Sequence, residues 1–274
     1  MNKIKIEKNT VQETLMLPLY GRAYCSKKYP TLFPDEASEE MAAKIDYDFD
    51  SLEFKEFAVI TWAIRKRMLN ERVKAFLRKH PKATIINLGC GADVSFPDVD
   101  NGQCRYINLD LPEVIAAREQ LVPCLEREKN IGMDAFDTAW CDMLDAPVSD
   151  GVYIISGGVF YYFKPEQIKT LFTTLAGKFP GSGIYFDCES SWGIKKANKM
   201  VEKTGNTGAK MYFSVDDAEA IFRPWSDRFG SITTVDRLPD SIAKAKEIPG
   251  SAKLILKLGC RLGIMKFVEI MFKE

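Results

Sequence analysis

Two glycines and one carboxylate, placed at the ends of two apolar segments, are the residues whose types and spacing point most directly to chemistry. Gly89 and Gly91 follow the apolar, β-branched run 84–88, and Asp110 ends the run 105–110. Glycine lacks a Cβ, so its backbone can approach a ligand closely and adopt a positive φ. A carboxylate at the tip of the next strand can accept hydrogen bonds from both ribose hydroxyls. The pattern therefore predicts a loop that binds a nucleoside.

The same loop lacks the feature that binds a dinucleotide. That fingerprint needs a third glycine, but Gly91 is followed by Ala92-Asp93-Val94. The sequence thus argues against a pyrophosphate cradle and favours an adenosine without phosphate, which predicts S-adenosylmethionine as the cofactor. The alternative is an ordinary tight turn, with Asp110 capping the helix that begins near Leu111. The residues predicted to bind the cofactor here are Asn87, Gly89, Cys90, Gly91, Asp93, Asp110 and Leu111.

Two further strand ends extend the predicted cofactor site. We expect a third strand over 138–141, so that Asp142 meets the adenine amino group while Met143 packs on the ring. The alternative is that Asp142 is a solvated turn residue. Ser156 and Gly157 end the next apolar run, where backbone without side chains would approach the sulfonium. The alternative there is a flexible turn between a strand and a helix.

The elements that must position these residues alternate between strands and helices. Such alternation predicts an α/β fold with a doubly wound, mostly parallel, seven-stranded Rossmann-like sheet and right-handed crossovers. A terminal antiparallel pair is expected from runs 231–237 and 266–272, joined through a helix over 252–262; the alternative is one helix over 252–272. The predicted parallel strands are 84–88, 105–110, 138–141, 151–156 and 183–187, and the predicted helices are 53–79, 112–128 and 165–178.

Two regions fall outside this alternation. Residues 1–82 are predicted to form a helical N-terminal cap, and 83–274 the cofactor-binding core. Within the core, about 190–230 reads as a lid insertion. Both regions are expected to cover the carboxyl edge of the sheet, where ligands of open α/β folds bind.

Charge and hydropathy narrow the class of partner. Lys plus Arg and Asp plus Glu both number 38, so no net field would attract nucleic acid or an anionic membrane. The N-terminus has no apolar signal core, and no run reaches the roughly 18 apolar residues of a membrane span. We expect a cytoplasmic monomer or homodimer whose partner is a small molecule, with no nucleic acid and no membrane.

Histidine and cysteine usage excludes two kinds of catalytic centre. The single histidine, His80, precedes Pro81 in a polar stretch typical of a helix end, so His-led triads are nearly excluded. The seven cysteines include no CxxC pair. Reduced thiols in apolar surroundings explain them better than disulfides or a zinc site, and no metal is predicted.

Several segments together are similar to one known family. They are 13–23, 45–49, 63–65, 87–93, 109–115, 158–163 and 179–181. With these residues the chain resembles the leucine carboxyl methyltransferase family and, within it, the bacterial tetracenomycin-type polyketide O-methyltransferases. The resemblance covers about residues 10–190, and Asp-Leu-Pro-Glu-Val at 110–114 is its most specific piece.

The resemblance implies transfer of a methyl group from S-adenosylmethionine to an oxygen of a small, polyketide-like molecule. It also implies that Arg65 binds the methionyl carboxylate of the cofactor, since a guanidinium can do so bidentately; the alternative is an arginine on the helix surface. Arg22 is a second candidate for that role or for shaping the mouth of the substrate site. Two positions depart from the family: Asp93 is followed by Val94-Ser95 instead of Thr-Arg, and Gly157 replaces an acidic residue.

The acceptor oxygen stays open between a carboxylate and a hydroxyl. A carboxylate needs no general base, whereas a hydroxyl benefits from one. The weak candidates for a catalytic residue, each more typical of a packing aromatic, are Tyr20, Tyr161, Tyr162 and Tyr212. The alternatives for function are a catalytically inactive cofactor-binding or interaction protein with the same fold, which Gly157 motivates, and a nicotinamide oxidoreductase.

Overall fold

The computed structural model describes residues 4–5, 11–47, 56–144, 147–204 and 210–274. Helices dominate the N-terminal part, with α1 and α2 packed together and α1 also packed on α3. The predicted helix 53–79 is confirmed as α3; residues 53–55 lie outside the described residues, as do 48 and 49 of the similar segment 45–49. In chain order the elements are β1 (Ile4–Lys5), α1 (Val11–Lys28), α2 (Glu36–Lys44), β2 (Ile45–Asp46) and α3 (Glu56–Leu77).

The rest of the described chain forms a seven-stranded sheet and the helices that cover it. Its order is β5-β4-β3-β6-β7-β9-β8, parallel except for the antiparallel pairs of β9 with β7 and β8. The doubly wound, mostly parallel sheet is therefore confirmed. Its elements are β3 (Thr84–Leu88), α4 (Phe96–Val99), β4 (Arg105–Asp110), α5 (Pro112–Leu121), β5 (Glu128–Gly132), β6 (Val152–Ser156), α6 (Pro165–Lys178), β7 (Gly183–Cys188), α7 (Ser191–Thr204), α8 (Ala218–Phe222), β8 (Phe229–Val235), α9 (Asp240–Ala243), α10 (Gly250–Arg261) and β9 (Lys266–Phe272).

The central strands are buried on both faces because helices cover each side. Every residue of β3, β6 and β7 is buried. On one face Val73 and Phe76 of α3 pack with Tyr153. On the other, Phe172 of α6 packs with Ile154. Such continuous apolar strands are typical of parallel sheets, and the strand order reverses between β3 and β6, where ligands of this architecture bind.

The prediction of a third strand over 138–141 was wrong. The strand is β5, and Thr138–Met143 is a 3-10 helix, while α5 ends at Leu121 instead of extending to residue 128. The edge strand β5 is mostly polar, so it lacks the apolar pattern of its neighbours. The run 138–141 resembles a strand in the sequence because it contains the apolar residues Trp140 and Cys141. These two residues are buried against the α6 side of the sheet.

The C-terminal prediction of two antiparallel strands joined through a helix is confirmed by β8, α10 and β9. The alternative of one helix over 252–272 is wrong. Gly263 adopts a φ of 68°, which ends α10 and turns the chain into β9. None of the helices in the described part of the chain combines the length and apolar character needed to cross a membrane.

Candidate functional site

The glycine loop after β3 meets the tip of β4. Gly89 and Gly91 have φ values of 70° and 50°. The carboxylate of Asp110 accepts the N–H of Gly91 at 2.7 Å through Oδ2 and the N–H of Leu111 at 2.8 Å through Oδ1. Burial raises the pKa of Asp110, and the two N–H groups oppose that change. The structure thus brings together the residues that the sequence predicted, and Asp110 also contacts the start of α5, as the alternative required.

A buried arginine that the sequence analysis missed holds this loop from behind. Arg118 of α5 is 3% exposed and donates to the carbonyl oxygen of Gly91 at 3.2 Å and to that of Asp93. It also pairs with Glu128 of β5 at 3.5 Å. A sequence pattern does not reveal this role, because an arginine in the middle of a helix is usually exposed.

Two more cations support the loop from α1 and α3. Arg22 donates to the carbonyl of Ala92 at 2.9 Å, and Lys66 donates to that of Val94 at 3.1 Å. Both pair with Asp35, at 3.4 and 3.0 Å. Burial would raise the pKa of Asp35, but Lys66 and Arg22 outweigh it and lower that pKa. Arg22, the second candidate for the methionyl carboxylate, is therefore engaged in holding the loop.

The predicted adenine contacts do not lie at a strand end. Asp142 belongs to the 3-10 helix 138–143, its side chain is 75% exposed, and it pairs with Lys178 at 2.6 Å. Met143 is also exposed. The residues that follow the real third strand are Met133 and Asp134, and the N–H of Met133 donates to the carbonyl of Asp110 at 2.8 Å. The sequence analysis missed both because it placed the strand ten residues too late.

The end of β6 brings bare backbone against Arg65. A Cβ on Gly157 would lie 3.1 Å from Arg65 Cδ, and one on Gly158 would lie 2.7 Å from Arg65 Nη1. Gly158 has a φ of 83°. Ser156 is buried, and its hydroxyl donates to the carbonyl of Leu88 at 2.9 Å, so its side chain joins β6 to β3. The hydroxyl proton of Ser156 is therefore not available to a ligand.

Arg65 lies inside the site and not on an outer helix surface, so that alternative is wrong. Its Nε pairs with Asp187 of β7 at 2.8 Å, and its Nη2 donates to the hydroxyl of Tyr161 at 3.2 Å. Asp187 also accepts the N–H of Gly158 at 2.6 Å. The sequence predicted Arg65 but not its partner, because the two residues are 122 positions apart.

Glu189, one residue beyond β7, is a functional candidate that the sequence analysis missed. The Glu189 side chain has no hydrogen bond or ion pair with any residue that the structure describes. Burial raises the pKa of Glu189 to about 7, the charge of Asp187 adds to the rise, and Arg65 opposes it. A carboxyl group whose pKa lies near neutrality has the proton affinity of a general base.

The four predicted tyrosines occupy different places. Tyr161 is buried, and Tyr162 is 37% exposed, with ring centroids 4.9 Å apart. Burial raises the pKa of both hydroxyls, which disfavours a phenolate base. Tyr212 is half-exposed, and its N–H donates to the carbonyl of Tyr161 at 2.6 Å. Tyr20 lies on α1, with its ring centroid 6.4 Å from that of Tyr24.

The sequence profile of the leucine carboxyl methyltransferase family matches residues 16–176, more than half of the chain. The chain belongs to this family. Tetracenomycin polyketide synthesis O-methyltransferase TcmP of Streptomyces glaucescens is 27% identical over 206 residues, covering 72% of this chain and 73% of that protein. The S-adenosyl-L-methionine-dependent methyltransferase dpfgK of Gibberella zeae is 27% identical over 236 residues, covering 79% of both chains. The resemblance is confirmed, and the nicotinamide oxidoreductase alternative loses its support.

Solved structures share the fold. The plantazolicin methyltransferase BamL, crystallised with a triazolic desmethylPZN analog and SAH, matches with a TM-score of 0.52 at 10% identity, over 97% of this chain and 100% of that one. A DUF574 family protein from Streptomyces avermitilis matches with a TM-score of 0.56 at 12% identity, over 93% and 97%. The shared architecture is the α/β sheet of methyltransferases.

Proposed function

We propose that this methyltransferase moves the methyl group of S-adenosylmethionine to a hydroxyl of a small, polyketide-like molecule. The single observation that carries the choice of a hydroxyl is Glu189, a carboxyl group without a partner among the described residues. The O-methyltransferase name of the Streptomyces glaucescens relative supports the class of acceptor. We assign the site to the carboxyl ends of β3, β4, β6 and β7, where parallel sheets bind ligands.

The residues on one side of this edge fit an unphosphorylated adenosine cofactor. A Cβ on Gly89 would lie 2.3 Å from a Val159 methyl carbon, so only glycine leaves the loop room to form. We assign the ribose hydroxyls to Asp110 and the adenine to Met133 and Asp134, which take over the roles predicted for Asp142 and Met143. The loop Asn87–Asp93 supplies the remaining backbone contacts.

Arg65 is assigned to the methionyl carboxylate of the cofactor. Its Nη1 faces the bare backbone of Gly158, while Nε and Nη2 are held by Asp187 and Tyr161. A guanidinium fixed in this way is preorganised for an anion. Bound S-adenosylmethionine supplies an electrophilic methyl group on a sulfonium.

The chain's own contribution to the reaction is alignment and removal of a proton. Glu189 accepts the proton of the acceptor hydroxyl as the new oxygen–carbon bond forms and the carbon–sulfur bond breaks. A carboxylate acceptor fits less well, because it has no proton to give up and would leave Glu189 without a role. Alignment and exclusion of water supply the rest of the rate increase.

Residues 190–230 remain our proposed lid. The N–H of Tyr212 donates to the carbonyl of Tyr161 at 2.6 Å, and the N–H of Val215 donates to that of Glu189 at 2.8 Å. These bonds join the described part of the segment to Tyr161 and Glu189, while residues 205–209 lie outside the described residues. The boundary between a cap at 1–82 and a core at 83–274 also stays a prediction.

The inactive alternative rested on Gly157, which replaces an acidic residue of the family. Asp187 of the neighbouring strand lies beside this position, accepts the N–H of Gly158 and pairs with Arg65. An acidic side chain is therefore present although position 157 is glycine. This arrangement favours the enzyme over a protein that has lost its chemistry.

The decisive experiment combines calorimetry with methyl transfer. We expect binding of S-adenosylmethionine but not of NAD, and transfer from the radiolabelled donor to aromatic polyketide phenols in preference to matched carboxylic acids. Glu189→Gln should keep the donor affinity while lowering kcat by about 100-fold to 10,000-fold and removing its dependence on pH near neutrality.

Each part of the proposal fails on a different result. Binding of NAD instead of the sulfonium donor would refute the cofactor. Donor binding without methylation of any acceptor in the panel would favour the inactive alternative. Methylation of a carboxylic acid at the same rate by wild type and Glu189→Gln would refute the hydroxyl acceptor.

A further inference from the structure

Helix α10 presents an apolar stripe to solvent. Its buried side consists of Ala252, Leu256 and Cys260, which pack into the core beside α3. The stripe lies on another side of the same helix and has the spacing of one helical face. Its members are Leu254, Ile255, Leu258 and Leu262, which are 60%, 46%, 47% and 44% exposed.

Basic residues run beside this stripe. Lys253, Lys257 and Arg261 repeat at intervals of four along α10, and the segment 250–266 contains no Asp or Glu. Lys253 is only partly exposed, and its Nζ donates to the carbonyl of Ala245 at 2.8 Å. Lys257 and Arg261 are exposed. The chain as a whole has no net charge, so this helix concentrates positive charge that the overall composition does not reveal.

An exposed aromatic residue lies in the first turn of α7, whose start is bonded to the end of α10. The hydroxyl of Ser190 donates to the carbonyl of Leu262 at 2.8 Å, which joins the start of α7 to the end of α10. Trp192 is 40% exposed, and Lys196 Nζ lies 3.9 Å from the centroid of its ring. We call Trp192, Lys196, the four aliphatic residues and the exposed Lys257 and Arg261 together the α10 surface.

We propose that the α10 surface docks on an anionic lipid membrane. An amphipathic helix can carry an apolar stripe and a basic stripe side by side. The apolar stripe inserts below the lipid headgroups, and the basic stripe contacts the lipid phosphates. Tryptophan and lysine are typical of the same interface. Charge complementarity therefore favours an anionic bilayer as the occupant.

A second copy of the chain fits this surface less well. Symmetric pairing of two α10 helices would place two basic stripes side by side. The four half-exposed aliphatic side chains offer roughly 300–400 Å², so polar and basic residues would have to supply about half of the roughly 800 Å² per partner of a stable interface. Docking on a membrane would also bring the carboxyl edge of the sheet close to the bilayer, because Ser190, the chain neighbour of Glu189, is bonded to Leu262 of the α10 surface.

Co-sedimentation of the full chain with vesicles tests the proposal. We expect binding to phosphatidylglycerol–phosphatidylcholine vesicles to exceed binding to pure phosphatidylcholine by about tenfold or more, and to weaken as salt screens the charges. Leu258→Glu should abolish binding. Leu125→Glu is the matched control, since Leu125 is 43% exposed outside the α10 surface, and it should bind like wild type.

Thermal unfolding of each variant establishes that the fold is intact, as expected for exposed positions. Absence of vesicle binding by the folded wild type would overturn the proposal. Equal loss in Leu125→Glu and Leu258→Glu would also overturn it. A dimer in light scattering that Leu258→Glu dissociates, without binding of wild type to vesicles, would assign the surface to a second copy instead.

Discussion

The two sides of the candidate site differ in how their charges are satisfied. The donor side, formed by the loop 87–93 with Asp110 and Arg118, is bonded throughout: Arg118 is shared between two loop carbonyls and Glu128, and each Asp110 oxygen accepts an N–H. The acceptor side is formed by residues 157–162 with Asp187 and Glu189. Asp187 pairs with Arg65, whereas Glu189 has no partner among the described residues.

We attribute this difference to the two tasks of the site: the donor side holds the cofactor, and the acceptor side takes part in the reaction. A cofactor cradle gains from rigidity, so its supporting cations are buried and fully used. A general base must keep a proton-accepting group free, and burial then raises its pKa at a cost in stability. We therefore expect substitutions on the donor side to weaken the fold and cofactor binding, and replacement of Glu189 to stabilise the fold while impairing turnover.

The largest effect is expected from Arg118→Met. The change leaves Glu128 buried without its cation and removes the donor to the loop carbonyls. The free energy of unfolding should fall by about 3–5 kcal/mol, measured by urea denaturation. Arg105→Met is the control, because its pair with Asp150 spans 3.9 Å at the surface and should contribute at most about 1 kcal/mol. Equal effects of the two changes would contradict the supporting role of Arg118.

Asp110→Ala should weaken binding of S-adenosylmethionine by about 1–3 kcal/mol, because the ribose hydroxyls lose their acceptor. Isothermal titration calorimetry measures the change. Asp142→Ala is the matched control: this carboxylate is exposed and paired with Lys178, so the affinity should stay that of wild type. Unchanged affinity in a folded Asp110→Ala protein, or a loss in Asp142→Ala, would contradict the assignment.

The smallest effect concerns the dependence of stability on pH. Folding raises the pKa of Glu189 from its ordinary 4.5 to about 7, so between these values the folded chain holds a proton that the unfolded chain releases. Stability therefore falls as pH rises through that window. Because Glu189 is only partly buried, solvent screening reduces the gain below what the full shift implies. Glu189→Gln should therefore remove the loss and gain about 1–2 kcal/mol over wild type at about pH 8, but little at about pH 4.

Urea denaturation at both pH values measures this gain. Glu189→Asp serves as a control that keeps the titrating group and should retain the fall in stability at high pH. A stability difference between Glu189→Gln and wild type that is the same at both pH values would show that Glu189 does not titrate as described.

The cofactor side could be predicted well because its information is local. The boundaries of β3, β4, α6 and β9 agree with the predicted runs, and the contact between Gly91 and Asp110 follows from two adjacent strand ends. That these residues bind a cofactor stays a prediction. The third strand was predicted in the wrong place because β5 lies at the edge of the sheet and lacks an apolar pattern. Contacts of Arg118 and Asn108 with Glu128 stabilise this polar strand instead of apolar burial.

By itself, the amino-acid sequence determined the alternation of strands and helices, the glycines that need a positive φ, and the carboxylate that follows β4, since each depends on residues close together in the chain. Only the tertiary structure decided which charges are paired. Arg65 meets Asp187 across 122 positions, and Glu189 is left over because that pairing is complete. Burial and partnership depend on packing between distant segments, and a pattern of residue types does not contain them.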